Sequence, residues 1–251
     1  MTREEKSLLL IKNFEPKAGY YVAFSGGKDS IVILDLVRRA GVKYDAHYSI
    51  TTIDPPELTK FIKKNYPEIK RERPEKNMFE LVIEKKSLPT RLRRFCCEKL
   101  KETGGENRIV VLGLRWQEST ARNQRNFVEY DATNKKIRFS PILDWGEKQV
   151  WDYIKKRKLP YPSLYQKRRR IGCVACPLAG GKTMRRELEE YPHVKKGYMK
   201  AIKQAMAEGG FREFESPEAV LEWWVSELKV SDYLEDKRTT INIFEGSGEE
   251  E

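Results

Sequence analysis

An apolar run, Tyr20-Tyr21-Val22-Ala23-Phe24, passes without interruption into Ser25-Gly26-Gly27-Lys28-Asp29-Ser30 and then into the apolar segment Ile31–Val37. The first run has the length and side chains of a buried strand, and the last has those of a packed helix. Between them, two consecutive glycines let the backbone come close to a ligand's oxygens. The unpaired N–H groups at the start of the helix favour an anion there. Ser25 and Ser30 offer hydroxyl donors, Lys28 can neutralise phosphate charge, and Asp29 can hold a magnesium ion bridging phosphate oxygens. A capped turn would account for the glycines and serines. It does not account for Lys28 and Asp29 directly behind an apolar strand.

The alternation continues along the chain. Strands are expected at Tyr44–Ile50, near Ile69, over Arg108–Gly113 and over Ile137–Ile142, with helices at 5–13, 55–66 and 77–86 between them. Such alternation implies an α/β fold: a doubly wound, mainly parallel sheet of five or six strands. After Pro141 the patterns become helical, at 148–158, 183–190, 193–208 and 217–228. The expected organisation is a nucleotide-binding α/β domain over 1–145, a helical cap over 146–245, and a flexible acidic tail at 246–251.

The chain has four cysteines, Cys96, Cys97, Cys173 and Cys176, the last two as Cys-x-x-Cys with Pro177 following. No apolar stretch is long enough to cross a bilayer and the first residues lack a secretory layout, so a cytoplasmic protein with no membrane partner is expected. In that reducing setting the cysteines are expected to bind a metal. Adjacent Cys96 and Cys97 diverge and suit the separated irons of a [4Fe–4S] cluster better than one zinc ion, although zinc and redox thiol pairs remain alternatives. Arg91, Arg93, Arg94 and the run Lys167–Arg170 flank the cysteines and could balance the cluster's charge or bind nucleic acid. The net charge of +11 attracts polyanions of either kind. Ala179-Gly180-Gly181-Lys182-Thr183 is read as a turn before a helix rather than a second phosphate loop, because Cys176 stands where that motif needs glycine. His47 and His193 show no catalytic spacing, and Tyr161, Tyr165, Trp223 and Trp224 are read as packing rather than as base-stacking residues.

Taken together, residues 25–30, Thr51-Thr52-Ile53-Asp54-Pro55-Pro56-Glu57, Arg94–Cys97, Gly113–Arg122 and Arg170–Pro177 resemble the phosphoadenosine phosphosulfate (PAPS) reductase family. That family lies within the adenine nucleotide α-hydrolase, or N-type ATP pyrophosphatase, superfamily, and the resemblance is to its iron–sulfur branch. It implies an adenine nucleotide, ATP or PAPS, held with Mg2+ by Ser25, Gly26, Gly27, Lys28, Asp29, Ser30, Thr52, Asp54, Gly113, Arg115, Glu118 and Ser119. Catalytic roles fall to Lys28, Asp29, Arg115 and Arg122. Arg115 and Arg122 are suited to bidentate contact with an oxyanion; a surface ion pair with Glu118 is their alternative reading. The [4Fe–4S] ligands would be Cys96, Cys97, Cys173 and Cys176.

Two departures from the reductase pattern shape the functional expectation. No cysteine follows Cys176, whereas the reductases attack sulfate sulfur with a cysteine near the C-terminus. The Lys28-Asp29 loop is typical of members that cleave ATP between its α and β phosphates. The leading expectation is therefore an adenylating ATP pyrophosphatase of sulfur transfer acting on DNA or tRNA, with a sulfur-donor or electron-donor protein as partner. The alternatives are a PAPS or adenylyl-sulfate reductase that borrows a partner's thiol, and a non-catalytic nucleotide or redox sensor.

Overall fold

The computed structural model describes residues 1–245; the tail expected to be flexible, 246–251, lies outside them. In the first half the elements are α1 (Arg3–Asn13), β1 (Tyr20–Ala23), α2 (Lys28–Ala40), β2 (Tyr44–Ser49), α3 (Pro56–Asn65), β3 (Lys70–Glu72), α4 (Met78–Lys85) and α5 (Phe95–Leu100). There follow β4 (Ile109–Val111), α6 (Thr120–Asn123), β5 (Val128–Asp131), β6 (Lys136–Phe139) and α7 (Glu147–Lys156). The last four are α8 (Gly181–Glu190), α9 (Pro192–Ala207), α10 (Pro217–Ser226) and α11 (Val230–Glu245). Among the described residues, no helix is long and apolar enough to cross a membrane.

The chain forms two compact units, and neither is continuous. The first comprises Met1–Glu75 and Cys97–Gly172; the second comprises Lys76–Cys96 and the described residues from Cys173. The division therefore does not fall after residue 145, where the sequence reading placed it. Residues 146–172 stay with the sheet because α7 turns its apolar face inward: Val150 and Ile154 join the core around α2, and the Tyr153 hydroxyl donates to Asp35 at 2.6 Å. Residues 76–96 join the helical unit through α4, which packs against α9.

The first unit is an α/β sheet of six strands in the order β3-β2-β1-β4-β6-β5. All neighbouring pairs are parallel except β5 with β6. β1 is the innermost strand from which the chain first winds outward to β2 and β3, then returns to β4 on the other side. The carboxyl ends of β1 and β4 thus flank a topological switch point, the position at which open α/β sheets bind ligands. Helix α2 begins there. Ile31, Val32, Ile33, Leu34, Leu36 and Val37 are all essentially inaccessible, and α2 stops at Gly41, whose φ of +70° only glycine adopts freely. Phe139 closes the core on the β6 side, its ring 5.8 Å from Tyr20 and 5.6 Å from Phe14.

Some boundaries differ from the sequence reading. β6 ends at Phe139 rather than continuing to Ile142, because Ser140-Pro141 turns the chain and the Leu143 N–H donates to the Ser140 carbonyl at 3.1 Å. The edge strand β5 and the helices α5, α6 and α11 were not expected.

The second unit is helical. Trp224 donates its indole N–H to the Pro89 carbonyl at 2.6 Å, and Gly197 leaves room for the Phe79 ring, which a Cβ would meet at 2.3 Å. Gly180, at φ +87°, precedes α8, and the Gly181 N–H donates to Glu227 at 2.6 Å. This segment is a helix-opening turn, as its sequence suggested.

Candidate functional site

At the switch point lies a cavity of about 310 Å³, lined entirely by residues of the first unit. The loop after β1 forms its floor and is already knit. The Ser25 N–H and hydroxyl both reach the Ser30 hydroxyl at 3.2 Å, and that hydroxyl donates to the Gly27 carbonyl at 2.9 Å. Gly26 sits at φ +71° with Ile62 and Leu58 beneath it, where a Cβ would collide at 2.8–2.9 Å. Gly113, at the end of β4, would bring a Cβ to 3.0 Å from the Asp29 backbone. Glycine at both positions follows from close approach.

Lys28 is almost inaccessible, and its ammonium lies 3.2 Å from Asp29 and 3.8 Å from Glu147. The other Asp29 oxygen accepts from the Arg115 Nε at 2.6 Å. Arg115 is 3% exposed, and its Nη1 is buried with no partner among the described residues. Asp29 is thus committed to two cations. Arg169 binds Glu147 at 2.8 Å, and this hydrogen bond holds the Glu147 carboxyl below the usual carboxylate range. The result is a chain of alternating charges, Arg115–Asp29–Lys28–Glu147–Arg169, within which Lys28 is pre-positioned rather than free to swing.

The residues singled out from sequence fall into three groups. Ser25, Gly27, Lys28, Asp29, Ser30, Asp54, Gly113, Glu118 and Arg122 line the cavity. Gly26 and Arg115 lie behind its wall, supporting the loop and Asp29. Thr52 and Ser119 are exposed and outside the lining; Thr52 holds φ +67°, and Ser119 accepts the Arg122 N–H to start α6. Asp54 accepts the Thr51 N–H at 2.8 Å, fixing the loop after β2. Of the two readings of the arginines, Arg122 pairs with Glu118 while Arg115 pairs with Asp29.

Among the lining residues that the sequence did not place in the site, four stand out for their charge or hydrogen bonding: Lys101, Arg170, His47 and Tyr165. Lys101 and Arg170 add positive charge to the cavity. His47 lies between Asp45 and Glu72, which both contact its ring nitrogens, and it stacks on Tyr21 at 4.1 Å between centroids. Tyr165, read from sequence as packing, accepts the Lys28 N–H at 2.8 Å and lies 5.7 Å from the Lys28 ammonium. Burial raises its phenol well above the ordinary tyrosine value, so the hydroxyl stays neutral. Only the basic run around Arg170 carried a signal in the sequence; the partners of Tyr165 and His47 are set by topology. Tyr165→Phe is expected to loosen the loop, weakening anion binding about fivefold with a stability loss of about 1 kcal/mol, as read by titration calorimetry and urea unfolding. Unchanged affinity would reduce Tyr165 to packing.

In the second unit, the Cys173–Cys176 loop is fixed by Ala175, at φ +56°, whose N–H donates to buried Glu187 at 2.9 Å. Cys96, Cys173 and Cys176 belong to this unit, and Cys97 follows Cys96 where the chain returns to the first. All four are partly exposed. Among the described residues no group of three or more His, Cys, Asp or Glu is placed to hold a metal ion. Thiolates are nevertheless the donors that a thiophilic centre takes. The Tyr198 hydroxyl is inaccessible and has no hydrogen-bond partner among the described residues, and burial raises its phenol far above the ordinary tyrosine value.

A strand–glycine loop–helix at the switch point of this sheet, with a cation held in the loop, defines the adenine nucleotide α-hydrolase, or PP-loop, class. Within it, the chain belongs to the family of the phosphoadenosine phosphosulfate reductase domain, whose pattern matches residues 19–179. An adenosine 5'-phosphosulfate reductase of Staphylococcus haemolyticus is 31% identical over 61% of this chain and 68% of its own. An uncharacterized protein of Methanocaldococcus jannaschii is 31% identical over 75% of this chain, which spans only 43% of that longer relative. The crystal structure of a phosphoadenylyl-sulfate reductase from Candida auris, a phosphate complex, shares the fold. It has a TM-score of 0.52 at 18% identity, covering 69% of this chain and 88% of the other.

Proposed function

We propose that the first unit binds an adenine sulfonucleotide, adenylyl sulfate or PAPS, and promotes its reductive cleavage with thiols supplied by a partner protein. The observation that carries this reading is the state of Asp29. It is neutralised by Lys28 and Arg115, so the loop offers the ligand a pre-positioned ammonium with Arg122, Arg170 and Lys101 around the same cavity. That surface suits a di-anionic phosphate–sulfate anhydride. Membership of the reductase family supports the same substrate class.

In this scheme the nucleotide's phosphate lies against residues 25–30 and its sulfate toward Gly113–Arg122. A partner thiolate attacks the sulfur, the S–O bond to the phosphate breaks, and the nucleoside phosphate leaves with the electron pair on its oxygen. Lys28 and Arg122 stabilise that developing charge. A second thiol then displaces sulfite from the S-sulfonated sulfur, forming a disulfide, so that two thiols furnish both electrons. The external thiol is required because the chain's four cysteines are assigned elsewhere: Cys96, Cys97, Cys173 and Cys176 would hold a [4Fe–4S] cluster, which when bound would supply electron exchange. A reducing cytoplasm would keep such thiolates competent.

The Lys28-Asp29 pair and the net charge of +11 favour a second reading, adenylation by Mg–ATP with transfer of sulfur to nucleic acid. The two readings separate cleanly. Anaerobically purified protein is incubated with adenylyl sulfate or PAPS plus a dithiol protein, and in parallel with Mg–ATP, while sulfite and pyrophosphate are assayed. Sulfite supports the reductase. Pyrophosphate from ATP without sulfite overturns it in favour of adenylation. In the same preparations Cys173→Ser is expected to lose most of its iron, whereas Asp29→Asn keeps the iron and loses turnover, as read by iron and sulfide analysis. Equal iron loss in both would refute the assignment of separate sites.

A further inference from the structure

We propose that His47 is a positioning residue of the nucleotide cavity: clamped between Asp45 and Glu72, it carries both ring protons and lends the wall a positive charge that rising pH removes. The inference rests on the proposed binding of adenylyl sulfate or PAPS in that cavity.

The registers of β1, β2 and β3 put Tyr21, Asp45, His47, Lys70 and Glu72 on one face of the sheet, opposite the face whose Tyr20, Val22, Ala46 and Tyr48 enter the apolar core. His47 is 8% exposed and lines the cavity. Its Nδ1 lies 2.5 Å from a Glu72 oxygen, and its Nε2 contacts Asp45. A neutral imidazole has one N–H and would turn a lone pair toward one of these carboxylates; only the doubly protonated ring donates to both. Both carboxylates are engaged on their other sides as well. Asp45 takes a forked contact from Arg108, whose guanidinium holds that carboxyl well below the usual range, and Glu72 accepts the Tyr21 hydroxyl at 3.0 Å. Tyr21 stacks on the His47 ring, and burial, with Glu72 beside it, keeps its phenol neutral. Lys70, 3.7 Å from Asp45, is largely exposed, and solvent screens its charge. Arg108 and a charged His47 therefore balance Asp45 and Glu72. A neutral His47 leaves one negative charge in the wall of a cavity that must admit an anion.

The chain's only histidines are His47 and His193, so the ring nitrogens are readily assigned. Long-range proton–nitrogen correlation spectra of the unliganded protein should show both His47 nitrogens protonated near neutral pH; a single protonated nitrogen would overturn the proposal. Titration calorimetry with adenylyl sulfate, whose phosphate and sulfate stay ionised throughout, reads the consequence. Affinity should fall about fivefold from about pH 6 to about pH 9 as the charge is lost, the size expected of one charge acting across a partly solvated cavity. His47→Gln offers neutral donors to both carboxylates. It should bind at about pH 6 as weakly as the wild type does at about pH 9, with little change between them. A wild-type pH profile in His47→Gln would overturn the role of the ring in binding. Absence of binding at every pH would instead overturn the substrate reading, and the nitrogen spectra, which need no ligand, decide His47 separately.

Discussion

Lys28→Ala should weaken binding of adenylyl sulfate or PAPS by about 30- to 100-fold, corresponding to about 2–3 kcal/mol for a lost charge-assisted hydrogen bond in a largely desolvated setting. Two features make the loss this large. The ammonium is held by Asp29 and Glu147 before any ligand arrives, so little ordering opposes binding. Its removal also leaves two carboxylates beside an incoming anion, converting attraction into repulsion. Lys28→Arg should recover little, because the planar guanidinium does not fit a position enclosed by Tyr165 and Asp29. Titration calorimetry with the nucleotide, alongside urea unfolding, checks both points. A change in affinity below threefold, with the fold intact, would remove Lys28 from the binding site.

Phe139→Ala should cost about 3–5 kcal/mol of stability and lower the thermal midpoint by roughly 10 °C. The ring is fully inaccessible and lies against Tyr20 and Phe14, so truncation leaves a cavity that rigid strands on either side cannot close. The effect should reach the site as well. The Phe139 carbonyl accepts the Leu112 N–H at 2.8 Å, one residue before Gly113 brings β4 against Asp29. Phe139→Leu should recover most of the stability, and urea unfolding followed by fluorescence and circular dichroism measures both variants. A loss under 1 kcal/mol for the alanine variant would show that the sheet repacks there.

What could be read from sequence was local. The path from Tyr20 through the glycine pair into α2 was visible because one continuous stretch carries the strand, the anion-binding turn and the buried helix. The parallel sheet followed from repetition of that rhythm. β5 was invisible for a physical reason: Val128 and Tyr130 face outward, 38% and 70% exposed, so this antiparallel edge strand lacks an apolar face turned to the core. The partners within the site were equally hidden. Arg115 meets Asp29, and Tyr165 meets the Lys28 N–H, across long stretches of chain that only the topology brings together. Arg115 was singled out as a ligand contact, and its motif named the residue without revealing that its Nε bonds Asp29. The placing of Lys76–Cys96 with the helices was illegible too, since nothing in that segment announces which later helix will cover Met78 and Leu81.

The interleaving of the two units governs the order in which the protein can assemble on the ribosome. After β3 emerges, the sheet must wait: β4 and β6, which complete its centre, come only after a segment whose own companions, α9 and α10, are made last. Nascent chains therefore carry α4 with its apolar face uncovered through the synthesis of more than a hundred further residues, an interval of several seconds at ordinary elongation rates. Cutting the gene once, anywhere, cannot yield two self-sufficient halves. A dissection that respects the fold needs a rejoined chain in which Lys76–Cys96 is excised from one product and spliced to Cys173 in the other.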